Sequence, residues 1–402
     1  MPPITAPDPR TTPQLEFKSY SEDIYFRAAG KPEPNSRSQT LIYHYQDRRW
    51  WIKVTFAGSV ILPDAEAEQT KPTRERRNEF QDFVRLIDFH TMPLLDDTVT
   101  EAIISEDQKS KTTEPVILYG KPKDTNRFAN IAKHLQFYVQ EDPLRVDYPL
   151  RLEFPSFRAI DAAELREEHE INSRVFRVLH TKATERHILY MPHDSEVIQA
   201  ELENLERFNG VPGIVQSAGI AVISNPYATS QTNVLELVIS GILFEYYSGG
   251  TLECVLNEQR VREHRWERWA LQIGTALRII HNAKKFHMDI KPSNVVLDRD
   301  GNAILIDISG IGGQTYEWLA PEILAENGEF DHPFEDLESN DVWAYGKLLD
   351  VLASNAGDSP FTATLKFIAE HLTEEKVQRR WTLSQAISYL NTCKDTDQSK
   401  HV

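Results

Sequence analysis

Three side chains able to handle a phosphate and its metal recur at fixed offsets: Asp289, Asn294 five residues on, and Asp307 thirteen after that. Between them, Val295-Val296-Leu297 and Ala303-Ile304-Leu305-Ile306 flank the turn Asp298-Arg299-Asp300-Gly301-Asn302. Short apolar runs around such a turn read as a hairpin. A hairpin with Asp289 and Asn294 before its first strand and Asp307 after its second brings the three side chains together. Phosphoryl transfer asks for that set. One carboxylate accepts the proton of the attacking hydroxyl, while an amide and a second carboxylate hold Mg²⁺ on the phosphates.

The full run His287-Met288-Asp289-Ile290-Lys291-Pro292-Ser293-Asn294, followed by Asp307-Ile308-Ser309, resembles the catalytic loop and metal-binding segment of the eukaryotic protein kinase family. The general forms are H-R-D-x-K-x-x-N and D-F-G. Lys291-Pro292 is similar to the serine/threonine class. Farther on, Thr315-Tyr316-Glu317-Trp318-Leu319-Ala320-Pro321-Glu322 resembles the loop ending in A-P-E, and Asp341-Val342-Trp343-Ala344-Tyr345-Gly346 the helix whose Asp anchors the catalytic loop. Arg380-Trp381-Thr382 is similar to R-P-T. The resemblance implies Asp289 as base, Lys291 steadying the γ-phosphate, and Asn294 and Asp307 as Mg²⁺ ligands. It also implies that Thr315 bonds Asp289 and Lys291, and that Glu322 pairs with Arg380.

The elements that must position these residues follow in the family's order, with departures. Val175–His180 and Arg186–Met191 read as strands joined by Thr181–Glu185. A helix follows from Ser195, a candidate N-cap, through Phe208, and it carries Glu201. The stretch Glu164 to Arg177 has no glycine where the family has its glycine-rich loop. Tyr190, or Met191 with a one-residue slip, stands where the family has the lysine that pairs with Glu201. Lys182, at the hairpin tip, is the nearby lysine. Ile242 to Leu252 resembles the strand and hinge that contact adenine, with Phe244 as gatekeeper and Glu245 and Tyr247 offering backbone groups to the base. Asn225 to Asn233 reads as a surface insertion. Met288 replaces the Arg that binds an activation-loop phosphate in the family, and Asp307 to Glu322 is short, so no activation by phosphorylation is expected there. Ser309 stands where D-F-G has Gly.

The resemblance therefore implies an α+β, bilobal protein-kinase-like fold using ATP and Mg²⁺ on a protein substrate. Retained base and metal residues favour an active serine/threonine kinase. The missing lysine and glycines favour a pseudokinase, a binding or scaffolding module. A small-molecule phosphotransferase shares the H-x-D-x-x-x-x-N loop but lacks Lys291-Pro292 and A-P-E.

The chain has 402 residues, of which 40% are hydrophobic and 26% charged, an ordinary globular composition with room for more than one domain. Its net charge of −17 argues against nucleic-acid or anionic-membrane partners, which need a basic face. Cys254 and Cys393 show neither metal-ligand spacing nor a disulfide framework, the N-terminus lacks a secretion signal, and Val234–Tyr247 is too short to span a bilayer. A cytoplasmic or nuclear protein is expected. Residues 1–18 read as a disordered tail, 19–150 as a mixed α/β accessory domain without a chemical motif, and 157–392 as the kinase-like domain (small lobe 157–247, large lobe 248–392), with 393–402 as a tail. Within the accessory domain, Leu41–Tyr45 and Trp50–Phe56 form a hairpin pattern, Phe80–Phe89 fits helix or strand, Pro115–Tyr119 reads as a strand, and Phe128–Val139 has helical spacing. One ring of Trp50-Trp51 is expected to face the core. Pro143 to Pro155 looks like a connector.

Overall fold

The computed structural model describes residues 13–398 except 27, 30–32, 61–70, 107–112, 124–125, 192–193, 231–235, 312, 314 and 326–332. The chain divides into two compact units, Met1–Arg145 with Ser224–Glu236, and Val146–Ile223 with Leu237–Val402.

The first unit is built on strands β1 (Gln14–Glu22), β2 (Ser36–Tyr45), β3 (Arg48–Ala57), β4 (Val99–Ser105), β5 (Glu114–Pro115) and β6 (Gln136–Glu141), with helices α1 (Thr73–Val84) and α2 (Phe128–Ile131). The sheet order is β1-β2-β3-β4-β6-β5. The expected hairpin is β2–β3, closed by Gln46-Asp47 with Gln46 at φ +55°. β3 and β4 pair in parallel, so a crossover is required, and α1 supplies it. Leu41, Tyr43, Ile52, Val54 and Phe56 alternate inward against Phe80, Phe83 and Phe128, as the two-residue period of a strand dictates.

Three expectations for this unit are corrected and one left open is resolved. Residues 14–18 of the supposed tail lie in β1, held by its ladder with β2; residues 1–12 lie outside the described residues. Phe80–Phe89 is resolved into the end of α1 and a short turn. Pro115–Tyr119 is a strand only at Pro115, apart from a single bridge from Leu118 to Ile87. Phe128–Val139 is helical only at its start, because Gln136–Glu141 is recruited into the sheet beside β4.

The segment Asn225–Asn233 is part of this unit. Trp50 packs on the core near Tyr43. Trp51, on the other face of β3, donates from Nε1 to Pro226 O at 2.9 Å and meets Tyr227 edge-on. Thr229 and Asp97 bond reciprocally at 2.8 Å, backbone N–H to side-chain oxygen each way. Thr229 is 2% exposed, so the supposed surface insertion is buried at this residue.

The second unit has a sheet lobe and a helical lobe, the expected α+β arrangement. Its strands β7 (Ala159–Asp161), β8 (Leu165–Asn172), β9 (Val175–His180), β10 (Glu185–Tyr190), β11 (Ser217–Ser224) and β12 (Leu237–Glu245) are ordered β7-β11-β12-β10-β9-β8. α3 (Ser195–Arg207) follows β10, and its N-cap is Asp194, which accepts from Glu196 N, rather than Ser195. The helical lobe contains α4 (Leu252–Asn257), α5 (Glu267–Asn282), the hairpin β13 (Val295–Leu297) and β14 (Ala303–Leu305), then α6 (Pro321–Ala325), α7 (Phe334–Ala356), α8 (Pro360–Leu372) and α9 (Leu383–Gln398). One apolar cluster joins Leu202 and Leu205 of α3 to Trp269, Leu277, Tyr345 and Ile387. The expected connector, Pro143 to Pro155, spans the boundary between the units at Arg145, and its second part belongs to this unit, because Phe154 enters its core and Pro149 O accepts from Ile239 N. Residues 393–398 continue α9 rather than forming a tail. No helix among the described residues is long and apolar enough to cross a membrane.

Candidate active site

Asp341 builds the catalytic loop from beneath. It is fully buried on α7 and accepts from His287 N and Met288 N, each at 2.7 Å, and from His281 Nε2 at 2.9 Å. Met288 takes φ +67°, uncommon for a side chain with a Cβ, and two successive N–H groups reach one carboxylate. The Met288 thioether is buried, 3.7 Å from Asn340 Nδ2. His287 donates from Nε2 to Ile306 O at 2.9 Å, tying the loop to the residue before Asp307.

Above this anchor the charged groups close a ring. Asp289 Oδ1 accepts from Thr315 Oγ1 at 2.8 Å, and its Oδ2 lies 2.6 Å from Lys291 Nζ. Lys291 Nζ donates to Thr315 Oγ1 at 2.7 Å. Asn294 Nδ2 donates to both the Asp289 carbonyl and Oδ2 at 2.9 Å. Its amide oxygen is thereby turned away from Asp289, because the same group cannot present both ends at once. The β13–β14 hairpin then places Asp307, at φ +61°, beside these groups. Asp307 opens to water on one side yet has protein on most others. Its carboxyl is raised above the usual aspartate range, first by that partial desolvation and then by Asp289, while His287 and Lys291 pull it back. Ser309 fills the third position of D-F-G, and the left-handed turn moves one residue on, to Gly310 at φ +75°. A Cβ at Gly310 would lie 2.6 Å from Phe286 O, so glycine is required there.

Glu322 and Arg380 make the expected pair, bidentate at 2.6 and 3.1 Å. A cavity of about 410 Å³ opens beside Lys291 and Thr315, with Glu253, Asn257 and Trp318 on its walls.

On the sheet lobe, Tyr190 ends β10 and Glu201 sits on α3 with 1% exposure. Neither Glu201 carboxylate oxygen has a hydrogen-bond partner among the described residues. Burial pushes this carboxyl up to about 8, and the Asp307 charge adds to the rise. The Ile308 and Ser309 amides offset part of it without reaching good bonding geometry. Tyr190 is pushed up to about 12, again by burial first, then by Asp307 and Glu201. Lys182 does not fill the gap. It is exposed at the hairpin tip and paired with Glu164 at 2.6 Å. The turn between β8 and β9 lacks glycine, and Arg174 takes its φ of +72°; the Arg174 carbonyl accepts from Met191 N at 3.0 Å, next to Tyr190.

At the hinge, Phe244 packs partly against the main core and Glu245 ends β12, its N–H donating to Gln216 O at 3.1 Å. The Tyr247 hydroxyl accepts from Gln216 N at 3.1 Å, so its ring is fixed below the strand. Gly249 follows, where a Cβ would lie 2.7 Å from Leu297 O. That close approach lets the hinge bond to β13.

Comparison with known proteins agrees with this geometry. The family model described as protein kinase domain matches residues 177–399. CBL-interacting protein kinase 33 of Oryza sativa subsp. japonica is 32% identical over 147 residues, covering 33% of this chain and 29% of that protein. CBL-interacting serine/threonine-protein kinase 3 of Arabidopsis thaliana is 31% identical over 135 residues, 30% of this chain and 29% of that one. Serine/threonine-protein kinase PKH3 of Eremothecium gossypii is 29% identical over 161 residues, 31% of this chain and 21% of that one. This chain thus matches less than a third of the length of each of these relatives.

Proposed function

The chain belongs to the protein kinase family, and on that premise we propose that it transfers the ATP γ-phosphate to Ser/Thr hydroxyls of proteins. The observation that carries the reading is the closed ring of Asp289, Lys291, Asn294 and Thr315. A carboxylate held by three donors has its orientation set before substrate arrives. Asp289 accepts the proton of the substrate hydroxyl, and Lys291 steadies the transferring phosphoryl group. Thr315 holds both in register. The cavity beside Lys291 and Thr315 is the proposed approach for the substrate side chain.

The Asn294 amide oxygen and the Asp307 carboxylate form a hard, oxygen-only donor pair, which suits Mg²⁺. The raised Asp307 carboxyl marks a negative charge that a cation would relieve. When bound, Mg²⁺ neutralises charge on the phosphates. Phe244, Glu245 and Tyr247 line the proposed adenine site.

Activity in this reading does not depend on phosphorylation of the activation segment. Met288 is buried against Asn340 where a phosphate-binding guanidinium would otherwise stand. The proposed compartment is the cytoplasm or nucleus, where exposed Cys254 stays a thiol.

A second reading, a pseudokinase that binds a partner without turnover, is favoured by Glu201. Its buried carboxyl has no cation partner among the described residues, and the phosphate-covering turn has no glycine. Transfer of labelled γ-phosphate from Mg-ATP to a generic protein substrate separates the two, with Asp289→Asn run alongside. Signal lost in the variant supports the kinase. No signal above the variant's, together with no ATP-dependent rise in melting temperature, leaves the pseudokinase.

A further inference from the structure

The β9–β10 hairpin has a second face. Tyr190 shares one side of β10 with Arg186 and Ile188, while Glu185, His187 and Leu189 alternate to the other. Across the pair, His180 stands opposite Glu185. We propose that His180, Glu185 and His187 form a binding site for a divalent transition-metal ion of the zinc type, separate from the nucleotide site.

One ligand atom from each of the three residues lies within 4.8 Å of the others. His187 is 6% exposed, and neither of its ring nitrogens has a hydrogen-bond partner among the described residues. A buried imidazole with both nitrogens unsatisfied is costly, and a metal bond would relieve it.

His180 is set up by a neighbour. Its Nε2 lies 3.2 Å from Glu164 Oε2, and Glu164 also holds Lys182 at 2.6 Å. A carboxylate acceptor there makes Nε2 the protonated nitrogen and leaves the Nδ1 lone pair, which now faces Arg158, for a ligand bond. Carboxylate–histidine–metal chains have this form. A positive group already marks the place. Arg158 Nη1 is 3.3 Å from Glu185 Oε2, and Arg158 Nη2 is 3.5 Å from His180 Nδ1. Arg158 is about half exposed and can swing into water. Glu245, opposite His187 on β12, adds negative charge nearby.

Two imidazoles and a carboxylate, with a fourth position left to water, is a donor set that Zn²⁺ takes at about 2.0–2.2 Å. The ligand atoms must draw together for this. Glu185, itself about half exposed, supplies the freedom. A bound ion would tie together the two strands that lead to Tyr190.

The test is titration of the full chain with Zn²⁺ and, as a spectroscopic probe, Co²⁺. One ion per chain, visible d–d bands from Co²⁺, and a rise in melting temperature that follows metal concentration are expected. His187→Gln and Glu185→Gln should each weaken binding by at least about tenfold, the scale on which even supporting groups act, and Arg158→Ala should tighten it. Glu185→Gln changes an exposed side chain, so its fold is expected to survive, with circular dichroism as the check. The proposal is overturned if the chain takes up no metal, or if both variants keep the affinity and the Co²⁺ spectrum of the parent, which would mean adventitious binding only.

Discussion

Glu201 lies buried within reach of the Asp307 charge, and no ammonium or guanidinium among the described residues is paired with it. The carboxyl rises from about 4.5 to about 8 on folding. Between those two values the folded chain holds a proton that the unfolded chain has released. Stability from this group is therefore complete below about pH 4.5 and falls as pH rises toward 8, with a slope of up to about 1.4 kcal/mol per pH unit. Glu201→Gln keeps the shape and removes the proton. In metal-free buffer the variant should gain on the parent steadily across that window, by urea denaturation at successive pH values. Parallel curves would show that Glu201 is not held as described.

Tyr190→Lys places an ammonium beside the same carboxyl. It should restore a donor of the kind whose loss costs roughly 10²–10³ in rate, and it should strengthen ATP-dependent thermal stabilisation. The gain should disappear in Tyr190→Lys with Glu201→Gln, because the lysine then has no carboxylate to orient it. An unchanged ATP response in the single variant would remove Tyr190 from the nucleotide site.

The sequence was readable where contacts are local or where a motif carries them. Asp289, Lys291 and Asn294 sit on one short loop, and the Asp298–Asn302 turn announces the hairpin that delivers Asp307. Thr315 and the Glu322–Arg380 pair were reachable through motif resemblance, although the pair lies 58 residues apart in the chain. The contacts of Pro226 and Thr229 were not readable, because polar composition gives no sign of packing against Trp51 and Asp97. The strand Gln136–Glu141 was hidden by a helical period that the β4 ladder overrides. Lys182 failed as a substitute lysine because a hairpin tip points it to Glu164. The His180–Glu185–His187 group did leave a signal: residues two apart on a strand, with a cross-strand histidine. Only the register makes it visible.

Arg380 is buried to 3% side-chain exposure and Glu322 to 22%. Removing one partner of such a pair leaves a buried charge uncompensated, at about 3–5 kcal/mol when burial is complete. Arg380→Ala should therefore cost about 3 kcal/mol in urea denaturation, since Glu322 keeps some water. Arg380→Lys should recover only part, because a single ammonium cannot reproduce the two-pronged bond. A loss below about 1 kcal/mol would class the pair with ordinary surface bridges.

Thr315 is the hinge of the proposed chemistry, since one hydroxyl joins Lys291 Nζ at 2.7 Å to Asp289 Oδ1 at 2.8 Å. Hydrogen bonds to charged groups are worth about 1.5–3 kcal/mol, so Thr315→Ala should lower phosphoryl transfer by roughly 10–100-fold. The effect should fall on kcat with little change in KM for ATP, because Thr315 positions the base rather than the nucleotide. Thr315→Ser keeps the hydroxyl and should retain most of the rate. If Ser and Ala fall together, the methyl group's packing matters more than the bond, and the ring around Asp289 would be structural rather than catalytic.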